Sequence, residues 1–160
     1  MMIFNFKDKI DSGSWFPIND GIMGGVSEGK ILMDSAGLIF SGFLSFKNNG
    51  GFSSVRSEDK LFDLRSFTGI GIEAAGDGKV YKLNVRNNGI SSSINFQQRF
   101  QPKEKFQKYF LPFENFSANR RGREISSVKL DPLKIISFGF LISDKQEGEF
   151  KITVKSIFAY

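Results

Sequence analysis

The segment "KVYKLNVRN", Lys79 to Asn87, decides the fold because apolar and polar side chains alternate along it. In an extended chain Tyr81, Leu83 and Val85 fall on one face, and the polar or charged residues between them fall on the other. The segment "EFKITVKSIF", residues 149–158, shows the same period of two. Both segments are therefore predicted to be half-buried β-strands.

The same pattern extends over most of the chain and predicts an all-β protein. Further strands are predicted at 2–6, 30–34, 38–46, 52–57, 69–75, 91–99, 105–112 and 135–143. The sequences "GDG" (76–78), "NNG" (87–89) and "KQEG" (145–148) are predicted to be turns between neighbouring strands. With 19 phenylalanines to fill an interior, we predict a single β-sandwich domain of two antiparallel sheets over residues 1–160. The only helix predicted is a turn near Asp131-Pro132-Leu133.

Two residue types are missing, and their absence excludes several kinds of chemistry. The chain has no cysteine and no histidine. Disulfides, thiolate metal sites, cysteine nucleophiles and the Ser-His-Asp triad are thereby excluded, together with ordinary zinc sites. An enzyme would have to use carboxylates such as Asp20, Glu28 or Glu58. We therefore predict a non-catalytic protein with no cofactor and no metal.

The N-terminal segment has neither the apolar core of a secretory signal nor the pattern of a transit peptide. The longest apolar stretch, "IISFGFLI" at Ile135–Ile142, is too short to span a bilayer. These features predict a cytoplasmic protein without a membrane span.

The segment "NDGIMGGVS", residues 19–27, is rich in glycine but lacks the lysine and the following helix of a phosphate-binding loop. One interpretation is a tight loop that packs Met23 and Trp15 into the end of the sandwich, with Asp20 bonded to nearby backbone amides. The other is a site at Asp20 for calcium or a hydroxyl-rich ligand, although calcium prefers six to eight oxygen ligands. The candidate binding residues are Asn19, Asp20, Gly21, Met23, Gly24, Gly25 and Ser27.

A second glycine-rich segment, "NNGGFSSVR" at residues 48–56, is predicted to form a turn at Asn49-Gly50 followed by a strand. Arg56 lies four residues after Phe52, so the two would share a face of the strand. A buried or rim arginine requires a carboxylate partner, and Asp20 is a candidate that would join the two glycine-rich segments. The candidate binding residues here are Asn49, Gly50, Gly51, Phe52 and Arg56.

The excess of positive charge lies in one segment, residues 99–123. Seven basic and two acidic residues in this segment account for the whole net charge of +5. Its interleaved aromatic residues could stack on RNA bases, but "FQKYFLPF" is also typical of a strand that ends at Pro112 with its aromatics in the core. The sequence "NRRGR" predicts a compact cationic loop that could bind RNA or an acidic protein through Arg120, Arg121 and Arg123.

Several motifs along nearly the whole chain resemble those of a known family in their order and spacing. They are a tryptophan before "NDGIMGGVS", then "FSGFLSFKNNGGFSSVR", "GIGIEAAGDGKVYKLNVRN", "FLPFENF" with "RRGR" after it, and "LDPLKIISFGFLISDKQEGEFKITVKSIFAY". The chain resembles the complex I intermediate-associated protein 30 family. The resemblance implies a galactose-binding-domain-like jelly-roll β-sandwich, related in architecture to carbohydrate-binding modules. It also implies a role as an assembly factor of respiratory complex I in mitochondria, with plastid and cyanobacterial relatives linked to photosynthetic complexes. The lack of a mitochondrial presequence pattern favours a bacterial or cyanobacterial member.

Three functions are predicted from these observations. The first is an assembly factor or chaperone that binds subunits or assembly factors of a respiratory or photosynthetic electron-transfer complex. The second is a carbohydrate-binding module, for which Trp15, Tyr81 and Tyr109 are the aromatic candidates. The third is RNA binding through the basic segment 99–123.

Overall fold

The computed structural model describes residues 1–8, 13–19, 28–45, 51–143 and 146–160. The described chain is built almost wholly from antiparallel strands, as the alternating pattern predicts. The strands are β1 (Met2–Asn5), β2 (Trp15–Asn19), β3 (Glu28–Asp34), β4 (Gly37–Leu44), β5 (Ser53–Ser57), β6 (Gly69–Gly76), β7 (Tyr81–Asn87), β8 (Ile94–Phe100), β9 (Gln107–Pro112), β10 (Ser117–Arg120), β11 (Arg123–Ile125), β12 (Ile135–Ile142) and β13 (Gly148–Ala159).

The strands form two sheets. The six-stranded sheet has the order β3-β4-β13-β6-β9, and β1 also pairs with β13. Strand β13 is long enough to pair with both β4 and β1 along its length. Its first half pairs with β4, and its last residues pair with β1. The seven-stranded sheet has the order β11-β10-β8-β7-β12-β5-β2. In this second sheet β12 is central, with β7 on one side and β5 on the other.

The core lies between the sheets and is strongly aromatic. Phe138 and Phe140 of β12 are fully buried. The ring of Trp15 stacks on Phe140 with centroids 5.8 Å apart, and its edge contacts Phe4 and Phe6 at 5.3 Å. Inward-facing aliphatic residues from both sheets fill the rest. The alternation in the sequence thus corresponds to an inner and an outer face on most strands.

Two predicted turns have a different role from the one expected. The "GDG" turn connects β6 to β7, but these strands belong to different sheets, so the turn is a crossover and not a hairpin. The connection between β12 and β13, which contains "KQEG", also passes from one sheet to the other. Only the "NNG" segment joins strands that are direct neighbours, β7 and β8. The turn residues therefore do not specify which sheet the following strand joins.

Other local elements confirm or extend the sequence predictions. A 3₁₀ turn at Pro132–Lys134 confirms the predicted helical turn, and the Asp131 side chain caps it by accepting a hydrogen bond from the amide of Leu133. A second 3₁₀ turn at Phe113–Asn115 was not predicted. Strands β2, β10 and β11 were not predicted either, because they are short and lack clear alternation.

The crossover between β6 and β7 is held by the side chain of Asp77. Its carboxylate accepts hydrogen bonds from the backbone amides of Lys79 (3.0 Å) and Lys151 (2.9 Å), and from the phenol of Tyr81 (3.1 Å). Tyr81 is fully buried. Burial, and after it the adjacent Asp77 carboxylate, raises the pKa of the Tyr81 phenol far above its usual range.

This raised pKa predicts a specific loss of stability in alkali. The unfolded chain ionises its Tyr81 phenol near pH 10, whereas the folded chain keeps it protonated. The stabilisation is therefore complete below about pH 10 and is lost as the pH rises above that value. We expect the unfolding free energy, measured in urea between pH 9 and 11.5, to fall less steeply for Tyr81→Phe than for the unaltered chain. Equal slopes would contradict this assignment.

Candidate functional site

The outer face of the seven-stranded sheet carries polar side chains on most of its strands. Its outward positions follow from the register, in which Arg56 lies opposite Gly139, Gly139 opposite Asn84, and Asn84 opposite Gln97. We call this surface the polar face. Its outward residues include Phe16, Ile18, Ser54, Arg56, Lys82, Asn84, Arg86, Asn95, Gln97, Arg99, Ser117, Asn119, Glu124, Ser137, Gly139 and Leu141.

Two arginines dominate the electrostatics of the polar face. Arg86 is nine-tenths buried, and its Nη1 donates to Asp59 Oδ1 at 2.9 Å and to Ser137 Oγ at 3.5 Å. Arg56 is less buried, and its guanidinium carbon lies 5.5 Å from the ring centroid of Phe16. Burial lowers the pKa of Arg56, the positive charge of Arg86 lowers it further, and Asp59 partly opposes both. The two guanidinium groups are therefore close enough to repel each other.

Three buried polar atoms on the polar face have no hydrogen-bond partner in the described part of the chain. They are Nε of Arg56, Oδ1 of Asn84 and Nε of Arg86. Buried polar groups in native proteins are nearly always hydrogen-bonded, and an orphan costs about 1–3 kcal/mol. Their concentration on one surface marks the polar face as a candidate binding site.

A second surface lies on the outer face of the six-stranded sheet. The ring of Phe158 lies over Gly71, where any Cβ would collide with it. Phe110 contacts Phe158 and Tyr160 edge-on, with centroids 6.0 and 5.0 Å apart, and is 55% exposed. Met2, which pairs with Phe158, is 56% exposed. We call Met2, Phe110, Phe158 and Tyr160 the aromatic patch.

Lysines lie against the aromatic patch. Nζ of Lys108 is 5.6 Å from the centroid of Phe158, and Nζ of Lys155 is 4.1 Å from the centroid of the neighbouring Phe106. Such cation–π contacts hold the ammonium groups beside the apolar surface. The patch is therefore apolar in its centre, and Lys108 lies at its border opposite Glu73.

Most residues of the two glycine-rich segments lie outside the described residues. This applies to Asp20, Gly21, Met23, Gly24, Gly25, Ser27, Asn49 and Gly50, and to the side chain of Asn19. The proposed Asp20–Arg56 pair therefore stays a hypothesis. Of the second segment, Gly51 has a positive φ of 132°, Phe52 is partly buried just before β5, and Arg56 lies on the polar face. Among the described residues of these two segments, Arg56 is the predicted site residue that lies on the polar face.

The basic segment differs in two respects from the prediction. The "NRRGR" sequence is not a loop but a hairpin, in which Arg120 pairs with Arg123 across a two-residue turn. Arg121 and Gly122 form that turn with φ values of 50° and 81°, the positive values that a tight hairpin needs. The strand predicted to end at Pro112 is present as β9, but its interpretation as a source of core aromatics holds only in part. Phe100 and Phe116 are buried, but Phe106 and Phe110 are exposed.

The aromatic residues predicted to bind sugar are not platforms. Tyr81 is fully buried, Trp15 packs on the core, and the Tyr109 hydroxyl accepts a hydrogen bond from the backbone amide of Lys103. The exposed ring on the polar face is Phe16, at 40%. Sequence reasoning missed Asn84 and Arg86 as site residues, although the alternation in "KVYKLNVRN" already places both on the polar side of β7.

A cleft of about 860 Å³ lies along β3, β4 and β13 at the other end of the six-stranded sheet. Its lining combines Phe43 with charged residues of both signs, among them Glu28, Glu149 and Lys151. Among the described residues, no three carboxylates lie close enough to hold a metal ion. The described part of the chain also contains no helix with the length and apolar character needed to cross a bilayer.

Comparison with known proteins identifies a family. The model of the family described as complex I intermediate-associated protein 30 matches residues 4–154. A mouse protein, "Complex I intermediate-associated protein 30, mitochondrial", is 26% identical over 98% of the chain and 55% of its own length. The chain thus spans about half the length of this curated relative.

Solved structures show what the fold is similar to. The family 11 carbohydrate-binding module of a cellulosomal cellulase of Clostridium thermocellum superposes with a TM-score of 0.69 at 15% identity, over 98% of this chain and 92% of that one. The same family 11 module in complex with a β-1,3-1,4-mixed-linked tetrasaccharide gives a TM-score of 0.65 at 16% identity, over the same shares. The predicted galactose-binding-like β-sandwich is confirmed.

Proposed function

Because the chain belongs to the complex I intermediate-associated protein 30 family, we propose that it is a non-catalytic binding module that holds a protein partner while a multi-subunit electron-transfer complex is assembled. The family supports a role in assembly. That the partner is a subunit or another assembly factor of a respiratory or photosynthetic complex, and that the protein acts in a bacterial cytoplasm, is part of the proposal.

The observation that carries this function is the aromatic patch. Phe110 lies on a strand of the sheet, yet more than half of its surface is open to solvent. Exposed aromatic clusters on a sheet face mark protein-binding surfaces, and aromatic anchors carry most of the affinity of such interfaces. The neighbouring Lys108 and Lys155 favour a partner with acidic groups around an apolar centre.

Co-purification from the native host tests this function. Tagged Phe110→Ala is expected to recover at least tenfold less of the partner subunits than the unaltered chain, because loss of an aromatic anchor costs about 2 kcal/mol or more. Leu61→Ala is the matched control, since Leu61 is 62% exposed and lies outside both sheets. Mass spectrometry identifies the recovered subunits.

Two outcomes would count against the proposal. Recovery of no subunit or assembly factor of an electron-transfer complex by the unaltered chain would reject the assembly function. Equal recovery of partner subunits by Phe110→Ala, with its thermal unfolding unchanged, would show that the aromatic patch does not bind the partner.

Saccharide recognition is a second candidate function, supported by the polar face. Amide and guanidinium groups beside an exposed ring are suited to hydroxyl-rich ligands, because they hydrogen-bond hydroxyls while the ring contacts the apolar face of a sugar. Asn84, Gln97, Arg56 and Phe16 provide these groups. The similarity to carbohydrate-binding modules agrees with it at the level of the fold. A glycan array without hits would reject this candidate.

A further inference from the structure

The polar face has an unbalanced positive charge at its centre. Arg56 on β5 and Arg86 on β7 lie on either side of β12, where Ser137 and Gly139 present only small groups between them. Among the described residues, Asp59 is the carboxylate that acts on this pair, and it bonds to Arg86. Around Asp59, two guanidinium groups therefore face one carboxylate, and these three groups together carry a charge of +1.

Several polar atoms around Arg56 and Arg86 also lack a hydrogen-bond partner among the described residues. Nε of both arginines and Oδ1 of Asn84 are buried without a partner among the described residues. A like-charged pair and several orphaned polar atoms are each unfavourable for folding. Such features are typical of functional sites, where a bound anion offsets the like charges.

We infer that this part of the polar face binds the carboxylate of an acidic saccharide, a chain that contains uronic acid residues. Arg56 is partly exposed and donates to the carboxylate through its guanidinium. Arg86 is held by Asp59 and Ser137 and supplies fixed positive charge beneath the ligand. The amides of Asn84 and Gln97 bind the sugar hydroxyls. The inference rests on the second candidate function, saccharide recognition.

The charge of the site favours a carboxylate over a phosphate. One carboxylate neutralises the charge of +1 that Arg56, Arg86 and Asp59 carry together, whereas a phosphate dianion would place an excess of negative charge beside Asp59. The guanidinium fork of arginine matches two oxygens of either anion, so the negative charge of Asp59 is what distinguishes the two ligands.

The surroundings favour a sugar acid over an acidic protein segment. The nearest outward residues on β7 and β8 are the amides Asn84, Asn95 and Gln97, which can donate to and accept from hydroxyl groups. Protein interfaces usually have an apolar anchor at their centre, and here that position holds Gly139 and Ser137.

Isothermal titration calorimetry with defined trisaccharides tests the inference. Trigalacturonate and the corresponding glucuronate trimer are the probes, and the methyl-esterified trigalacturonate is the matched neutral ligand. At least one acidic trimer is expected to bind, and its methyl ester is expected to bind at least tenfold more weakly.

Three variants separate this site from a general effect of charge. Arg56→Ala is expected to weaken binding of the acidic trimer about ten- to hundredfold, the effect of losing charge-assisted hydrogen bonds. Arg65→Ala, which removes an exposed charge outside both sheets, is expected to leave the affinity unchanged. Asp59→Asn is expected to raise the affinity about two- to fivefold, because it removes a competing negative charge. A purely structural role for the pair would not produce this increase.

The possible results are distinguishable. If only neutral trimers bind, or the methyl ester binds as well as the acid, the inference fails while saccharide recognition stands. If an array that includes both acidic trimers gives no binding, the inference and saccharide recognition fail together. Triglutamate and inorganic phosphate are tested as competitors of the acidic trimer. If either displaces the trimer at a concentration below that of the trimer itself, the ligand is an acidic peptide or a phosphate, and the sugar acid is rejected.

Discussion

Replacement of Phe140 by alanine is expected to lower the free energy of unfolding by about 3–5 kcal/mol, the usual cost of removing a buried aromatic ring. Phe140 is fully buried on the central strand β12. Its ring stacks on Trp15 and contacts the edge of Phe100 at 6.1 Å. Because these neighbours are rigid aromatic side chains, the cavity left behind cannot collapse easily.

Thermal and urea unfolding measure this effect. For a domain of this size each kcal/mol corresponds to about 2–4 °C, so the melting temperature should fall by about 10 °C. Leu61→Ala is the control, and it should change the free energy of unfolding by less than about 0.5 kcal/mol because Leu61 is exposed. A loss below 1 kcal/mol for Phe140→Ala would contradict the described core.

Replacement of Gly139 by valine is expected to destabilise the protein by about 2–3 kcal/mol through steric overlap. A Cβ at this position would lie 2.5 Å from the backbone oxygen of Val55 and 3.5 Å from Cα of Arg56. The overlap is with the backbone of the neighbouring strand, so β5 and β12 would have to separate. The same displacement would shift Arg56 on the polar face.

The matched control is Leu141→Val, which places the same side chain at the next outward position of β12. Leu141 lies opposite Ser54 and already has a Cβ, so this change should cost less than about 1 kcal/mol. Urea unfolding of the two variants compares them directly. Equal stabilities would show that the strands do not approach as closely at Gly139 as the structure describes.

The connections between strands show which part of the fold the sequence does not predict. The "GDG" segment has the composition of a hairpin turn. However, β6 and β7 enter different sheets. A turn sequence specifies the path of a few residues, whereas the sheet that a strand joins depends on which distant strand can bury its apolar face.

The aromatic patch was missed for a related reason. In β9 the consecutive residues Tyr109, Phe110 and Leu111 are all apolar or aromatic, so alternation does not distinguish the inner from the outer face. Leu111 is buried and Phe110 is exposed. The orientation follows from the pairing of Phe110 with Gly71, which lets the Phe158 ring lie against the sheet.

The polar face could be predicted in part from the sequence and in part only from the strand order. The period of two alone places Asn84 and Arg86 on the polar side of their strand. Their proximity to Arg56 could not be predicted, because it requires β5 and β7 to lie on opposite sides of β12.

The sequence by itself thus determined the β-sandwich class, most strand positions and the family, because side-chain alternation, glycine-containing turns and motif spacing are local or linear properties. Only the tertiary structure decided the order of the strands, the exposure of Phe110 and the proximity of Arg56 to Arg86 across β12. The physical reason is that strand order is selected by burial of the whole core. The free energy of that burial is shared among residues far apart in the chain.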